Sequence, residues 1–230
     1  MPTTLITGAN RGLGLEFVRQ YDGDGWRVYA CCRRPSEADA LRGIAAASDG
    51  RVTVHALDVA DHGSVDALAA ELKDAAIDLL LNNAGVMGAR NGFGEIDYDL
   101  WGHVLRVNTM GPMKVTEAFV EQVARSERKV VAHVTSKMGS IADNTSGHAY
   151  VYRSSKAALN AVNMSLSHDL RRRGIVAVVV HPGWVKTDMG GQGAPTEIPE
   201  SISGMREVLG KLTERDSGRF FDFTGAEIPW

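Results

Sequence analysis

Thr3-Thr4-Leu5-Ile6-Thr7-Gly8-Ala9-Asn10-Arg11-Gly12-Leu13-Gly14 is the stretch on which the fold is decided. The β-branched run at its start reads as a strand, and Leu13 to Tyr21 behind it as a helix. Each glycine between them has a physical task. Gly8 permits a tight turn, Gly12 lets the main chain approach a pyrophosphate, and Gly14 lets the helix pack closely on the strand. The helix start then offers free amides and a partial positive charge to phosphate. Gly8, Asn10, Arg11, Gly12, Leu13 and Gly14 are therefore the expected phosphate-holding loop of a dinucleotide site. Their spacing, G-x-x-x-G-x-G, departs from the commoner G-x-G-x-x-G.

Working outward, apolar strand-length runs alternate with helical patterns to the end of the chain. Strands are expected at Arg27 to Cys32, Val52 to Leu57, Ile77 to Leu81, Lys129 to Thr135, Ile175 to Val180 and around Phe220 to Phe223. Several have no polar face, as in Val176-Ala177-Val178-Val179-Val180, which suits a parallel sheet covered by helices on both sides. Helices are expected at Ser36 to Ala47, at Asp61 to Asp74 with Asp61 or Ser64 as cap, and at Asp97 to Arg125, divided or kinked at Gly111-Pro112. Two more are expected at Tyr152 to Arg173, closed by Gly174, and at Met205 to Leu212. The alternation predicts one α/β domain over residues 1–230: a Rossmann-type, doubly wound parallel sheet of about seven strands with helices on both faces. The glycines and prolines of residues 189–205 break the rhythm and read as a substrate lid.

Composition narrows the function. A net charge of −3 over 230 residues gives no basic footprint for nucleic acid. No apolar run approaches the length of a membrane span, and the start of the chain has no signal-peptide pattern, so a cytoplasmic setting is expected. Cys31 and Cys32, the two cysteines, are adjacent and lack metal-ligand spacing; they read as filler in a buried strand. No metal is expected.

The second strand ends Ala30-Cys31-Cys32-Arg33-Arg34, without the carboxylate that would accept a ribose 2′-hydroxyl and repel a 2′-phosphate. Arg33 or Arg34, with Arg11 as a further candidate, would instead pair with that phosphate. NADP(H) is the expected cofactor.

Five motifs in order resemble the short-chain dehydrogenase/reductase family over nearly the whole length: the glycine loop, Asn82-Asn83-Ala84-Gly85, Ser136 closing the fifth strand, Tyr152-Arg153-Ser154-Ser155-Lys156, and His181-Pro182-Gly183-Trp184-Val185-Lys186-Thr187. Asn108 completes the set in the long helix. Within the family, Val134 to Ser140, Tyr152 to Asn160 and Gly218 to Asp222 are similar to C-factor and sniffer-type carbonyl reductases.

The chemistry can be read from residue types. Reducing a carbonyl needs a proton on oxygen, and a phenol of ordinary pKa near 10 is a sluggish partner at neutrality. Lys156 lies one helical turn from Tyr152, on the same face, where its charge favours the phenolate. Tyr150 has Ser154 at that position instead. Ser136 would hydrogen-bond the carbonyl oxygen, or else merely cap the next turn. The resemblance implies that Lys156 also binds ribose hydroxyls and that Asn108 holds a relay water. It further implies that Asp58 and Val59 lie at the adenine, and that Asn82, Asn83, Ala84 and Gly85 line the cleft. Pro182, Gly183, Val185 and Thr187 would face the nicotinamide. The segment from Ser136 to Tyr152 is longer than the family's usual spacing, predicting an enlarged loop through Asp143, Asn144 and Gly147. Trp184, Met189 and Met205 are candidates to line a pocket for a small apolar carbonyl compound. A homodimer or homotetramer through Val115 to Val123 and Leu159 to Leu170 is a further expectation. A rival reading is a C-factor-like signalling or cofactor-sensing protein whose role needs no turnover. A serine hydrolase built on Ser136 is disfavoured, since Thr135-Ser136-Lys137-Met138-Gly139 lacks the first glycine of a nucleophile elbow.

Overall fold

The structure, a computed structural model, describes residues 1–89 and 92–230. Seven strands form one parallel sheet: β1 (Thr3–Thr7), β2 (Arg27–Cys32), β3 (Val52–Ala56), β4 (Leu79–Asn82), β5 (Val130–Val134), β6 (Val176–His181) and β7 (Phe220–Asp222). Their order is β3-β2-β1-β4-β5-β6-β7, so the winding reverses between β1 and β4. At that reversal the connections leaving neighbouring strands run to opposite faces of the sheet, which is the usual ligand position in such sheets. The doubly wound expectation is met.

Among the described residues seven α-helices flank the sheet: α1 (Gly12–Gly23), α2 (Asp39–Ala47), α3 (His62–Glu71), α4 (Tyr98–Leu105), α5 (Gly111–Ala124), α6 (Tyr150–Asp169) and α7 (Ile198–Lys211). One apolar layer joins Phe17, Val18 and Met205 to β1, β2, β5 and β6; the other joins Val115, Phe119 and Val123 to Leu5, Leu80 and Val131. β5 therefore carries apolar side chains on both faces, Val130, Ala132 and Val134 on one and Val131 on the other. Cys31 and Cys32 are buried, and burial raises both thiols, consistent with a packing role.

Several boundaries differ from the sequence reading for identifiable reasons. Asp61, not Ser64, caps α3, its carboxylate accepting from the N–H groups of Gly63 and Ser64. The long helix divides before Gly111, through a π-helical turn at Arg106–Met110. Pro112 offers no N–H to the preceding turn, which loosens the ladder there. α6 starts two residues earlier than expected, at Tyr150, behind Ala149 in a left-handed conformation, and ends at Asp169; Gly174, also left-handed, closes the short turn that follows.

Part of the segment 189–205, expected as a lid, is helical. Pro199 sits in the first turn of α7, where its missing N–H costs nothing, so residues from Ile198 onward are helical. Met205 is completely buried in the core and lines no substrate pocket. Val115 and Val123 likewise face the sheet, leaving only other faces of α5 open to a second copy. Among the described residues no helix is long and apolar enough to cross a membrane.

Candidate active site

The end of β1 and the end of β4 are sewn together by one threonine. Thr7 Oγ1 accepts the N–H groups of Asn83 and Ala84, each at 3.0 Å. In return Asn83 Nδ2 donates to the carbonyls of Thr7 (2.9 Å) and Gly8 (3.2 Å). Asn83 thus fixes the glycine loop rather than simply lining the cleft. Its neighbour Asn82 turns inward, is buried, and donates to Thr116 on α5, so it is not exposed to the cleft as the sequence reading had it.

Gly8 and Gly14 have no room for anything larger. A Cβ on Gly14 would fall 2.1 Å from the Gly8 carbonyl oxygen, and one on Gly8 would fall 2.9 Å from Ala84 Cα. Gly8 and Gly12 both have positive φ (67° and 54°), which a side chain would strain. Gly12 faces open space apart from Thr187 Cγ2 at 4.0 Å, so the loop after β6 reaches the glycine loop there. α1 begins behind extended Arg11 with no side-chain cap and no acidic residue in its first turn. Its leading N–H groups are left to an anion. These features fit the pyrophosphate of a dinucleotide.

At the end of β2, Arg33 and Arg34 are exposed. Arg34 pairs with Glu37 (3.1 Å) and Arg11 with Asp188 (2.9 Å). Among the described residues Arg33 is in no ion pair. Asp58 is half-buried; its carboxylate accepts from the Ala60 N–H and so shapes the turn after β3. Val59 is buried against Gly111, where a Cβ would meet the Val59 carbonyl at 2.9 Å. After β6, Pro182 accepts the Ser201 hydroxyl at 2.6 Å, Gly183 takes φ 85°, Val185 is buried, and Thr187 Oγ1 accepts the Gly190 N–H. Trp184 and Met189 stand exposed on the same segment.

The four proposed reaction residues lie on α6 or on segments held against it. Lys156 is buried, donates a 2.9 Å bond to the Val134 carbonyl, and places its ammonium 5.9 Å from the centre of the Tyr152 ring. Burial disfavours its charge and pulls its pKa down to about 8. Tyr152 is itself buried to 6% exposure. Ser136 caps the short turn Lys137–Gly139, its Oγ accepting from Met138 N at 3.1 Å. That turn lies directly on α6, since a Cβ on Gly139 would sit 2.9 Å from Lys156. Capping does not preclude the expected catalytic role: an accepting hydroxyl oxygen keeps its own hydrogen to donate.

Asn108 lies in the π-helical turn, completely buried. Its amide donates to the Val86 carbonyl (2.7 Å) and Ser155 Oγ (3.0 Å) and accepts the Val86 N–H (2.8 Å). Both amide hydrogens are therefore spent on the protein, and the side chain clamps the loop after β4 to α6. Gly85 fits beside it, with a hypothetical Cβ 3.3 Å from Asn108 Oδ1 and 3.6 Å from Lys156 Nζ. No helical periodicity announces a π-turn, so this clamp could not be read from the pattern alone.

The sequence matches the short chain dehydrogenase family over residues 2–197. The chain belongs to that family. As a short-chain dehydrogenase it is 49% identical over 154 residues to C-signal of Myxococcus xanthus, covering 67% of this chain and 93% of that protein. Among solved structures it is similar to the carbonyl reductase Sniffer of D. melanogaster, with TM-score 0.94 and 32% identity over 100% of both chains. It is also similar to an NADPH-bound carbonyl reductase from chicken fatty liver, with TM-score 0.93 and 34% identity, covering 100% of this chain and 94% of the other.

Proposed function

We propose that this short-chain dehydrogenase reduces a carbonyl compound using NADPH, with Tyr152 as the proton donor. The observation that carries the reading is the buried Lys156 ammonium beside the Tyr152 ring, in a chain whose glycine loop leaves no room for side chains at Gly8 and Gly14. When bound, the cofactor supplies the reducing equivalent.

The protein's own part is positioning and proton handling. Ser136 donates its free hydroxyl hydrogen to the carbonyl oxygen and holds it toward Tyr152. Tyr152 gives its phenolic proton to that oxygen, and the Lys156 charge stabilises the phenolate left behind. Asn108 and Val134 keep Lys156 in register by fixing the loop on one side and the amine on the other. Arg33 is the side chain best placed to receive a 2′-phosphate, because Arg11 and Arg34 already have carboxylate partners. Residues 189–197, ahead of α7, form the covering segment for an apolar substrate.

The deciding experiment follows NADPH oxidation with a panel of aldehydes and diketones, for the wild type and Tyr152→Phe. Turnover that survives in the variant rejects the assigned acid. The identity to C-signal supports a second reading, a signalling role that needs the bound cofactor but not turnover. Normal signalling by a folded Tyr152→Phe protein would favour it.

A further inference from the structure

Between Ser136 and Tyr152 the chain makes an excursion whose outer residues, 141–148, face solvent. Its two ends are the residues proposed to hold the carbonyl, so its shape bears on the space beside them. Its near end is fastened to α6, where Asn160 Nδ2 donates to the Gly139 carbonyl at 3.2 Å. Arg153 fastens the far end, with Nε on the Gly147 carbonyl (3.2 Å) and Nη2 on Ser146 Oγ (3.0 Å).

The middle is held by a residue ninety positions further along. The main-chain oxygen of Trp230 accepts the N–H groups of Ile141 (2.9 Å) and Ala142 (3.0 Å) and the Ser140 hydroxyl (3.2 Å). Two successive N–H groups and a hydroxyl converging on one oxygen form a small nest. Trp230 is in turn docked on the sheet edge: its ring lies 5.5 Å from that of Phe220, which is completely buried in β7. Ile228 N donates to the Phe220 carbonyl at 2.8 Å, so the tail is registered along β7 as well.

The excursion needs such external support. Gly147, His148 and Ala149 all have positive φ (65°, 56° and 50°), and two of them bear side chains. Backbone of that kind persists only where its surroundings impose it. Gly92 shows that the other wall is close, since a Cβ there would meet His148 Nδ1 at 3.4 Å.

We propose that Trp230 is a positioning residue for the carbonyl substrate: docked on Phe220, it sets the shape of the excursion joining Ser136 to Tyr152. The proposal rests on the carbonyl-reductase reading. Its effect is expected first on substrate binding, because among the described residues its contacts fall on residues 140–142 and Phe220 and not on the glycine loop.

The test compares Trp230→Ala and Trp230→Phe in the full chain. Three readouts are needed: KM and kcat for a bulky aromatic ketone and a small aldehyde at saturating NADPH, Kd for NADPH, and amide hydrogen exchange over 140–149. Losing one ring contact is expected to raise KM for the bulky ketone about threefold to tenfold. kcat and the NADPH Kd should be unchanged, exchange over 140–149 should accelerate, and Trp230→Phe should restore most of the effect. Unaltered KM, unaltered exchange, or a KM rise matched by lost NADPH affinity would each overturn the proposal. A wild type that reduces no carbonyl compound, while Trp230→Ala still loosens 140–149, sinks the reductase reading and the substrate role together but leaves the docking intact.

Discussion

Lys156 Nζ stands 5.9 Å from the centre of the Tyr152 ring while bonded at 2.9 Å to the carbonyl of Val134. The ammonium is thereby tied to β5 on one side and turned to the phenol on the other. Because burial lowers its pKa to about 8, it is charged at neutral pH and loses its proton within the working range. The support it gives a phenolate should vanish with that charge. The carbonyl-reduction kcat/KM is expected to fall as pH rises through about 8, and Lys156→Met should lower kcat roughly 10²- to 10⁴-fold at pH 7. A pH–rate profile that stays flat to pH 10 would contradict this.

Ser136 tests whether a capping hydroxyl also serves the reaction. Its oxygen is occupied by the Met138 N–H while its hydrogen is available. Ser136→Ala should reduce kcat by roughly 10² to 10³, the usual cost of one lost oxyanion donor. The loss of the cap should lower stability by only about 1 kcal/mol. Parallel measurement of kcat and urea unfolding separates the two; a stability loss without a rate loss would leave Ser136 as a cap alone.

The cofactor preference hinges on which arginine is free. Arg33→Ala is expected to weaken NADPH binding roughly tenfold or more, the loss of one charge-assisted bond, while leaving NADH unaffected. Asp188→Asn releases Arg11 from its 2.9 Å ion pair. That pair is exposed on both sides, so the change in NADPH affinity should be small and disappear at high salt. Titrations with both cofactors at two ionic strengths would check both statements. Equal losses of NADH and NADPH affinity in Arg33→Ala would remove the phosphate-binding argument.

Residue chemistry that repeats or has a fixed spacing was legible before any coordinates. Gly8, Gly12 and Gly14, the Tyr152–Lys156 pair and the seven strands each obey a local rule; the strands lie where that rule predicts, and Gly8 and Gly14 are as tightly packed as it requires. What escaped was set by long-range contacts. Asn82 and Asn83 are identical in type, and only the placement of Thr7 and Thr116 sends one into the core and the other to the glycine loop. The π-turn around Asn108 adds one residue to a turn, which leaves no mark on an apolar pattern. The start of α7 hid behind Pro199, read as a breaker but serving as a first-turn residue. Trp230 carried no signal at all, because its contacts, the main-chain oxygen with residues 140–142 and the ring with Phe220, join positions far apart in the sequence.

His133 offers a test of the core beneath the site. It faces Asn82 across the β4–β5 register and is completely buried, with no hydrogen-bond partner at either ring nitrogen among the described residues. Burial, reinforced by the Lys156 charge, lowers its pKa from 6.5 to about 3. The unfolded chain therefore takes up a proton below pH 6.5 that the native state refuses until about pH 3. Stability contributed by the neutral ring is complete above 6.5 and is lost as pH falls through that window. At pH 5 the loss from this residue is about 2 kcal/mol, and His181, lowered to about 4 chiefly by burial, adds in the same sense. His133→Leu should reduce the difference in unfolding free energy between pH 7.5 and pH 5 by about that amount. It should not destabilise the protein at pH 7.5, since it removes two unpaired polar atoms from the interior. Urea titrations at the two pH values measure both effects, and an unchanged pH difference in the variant would show that His133 already titrates in the native state.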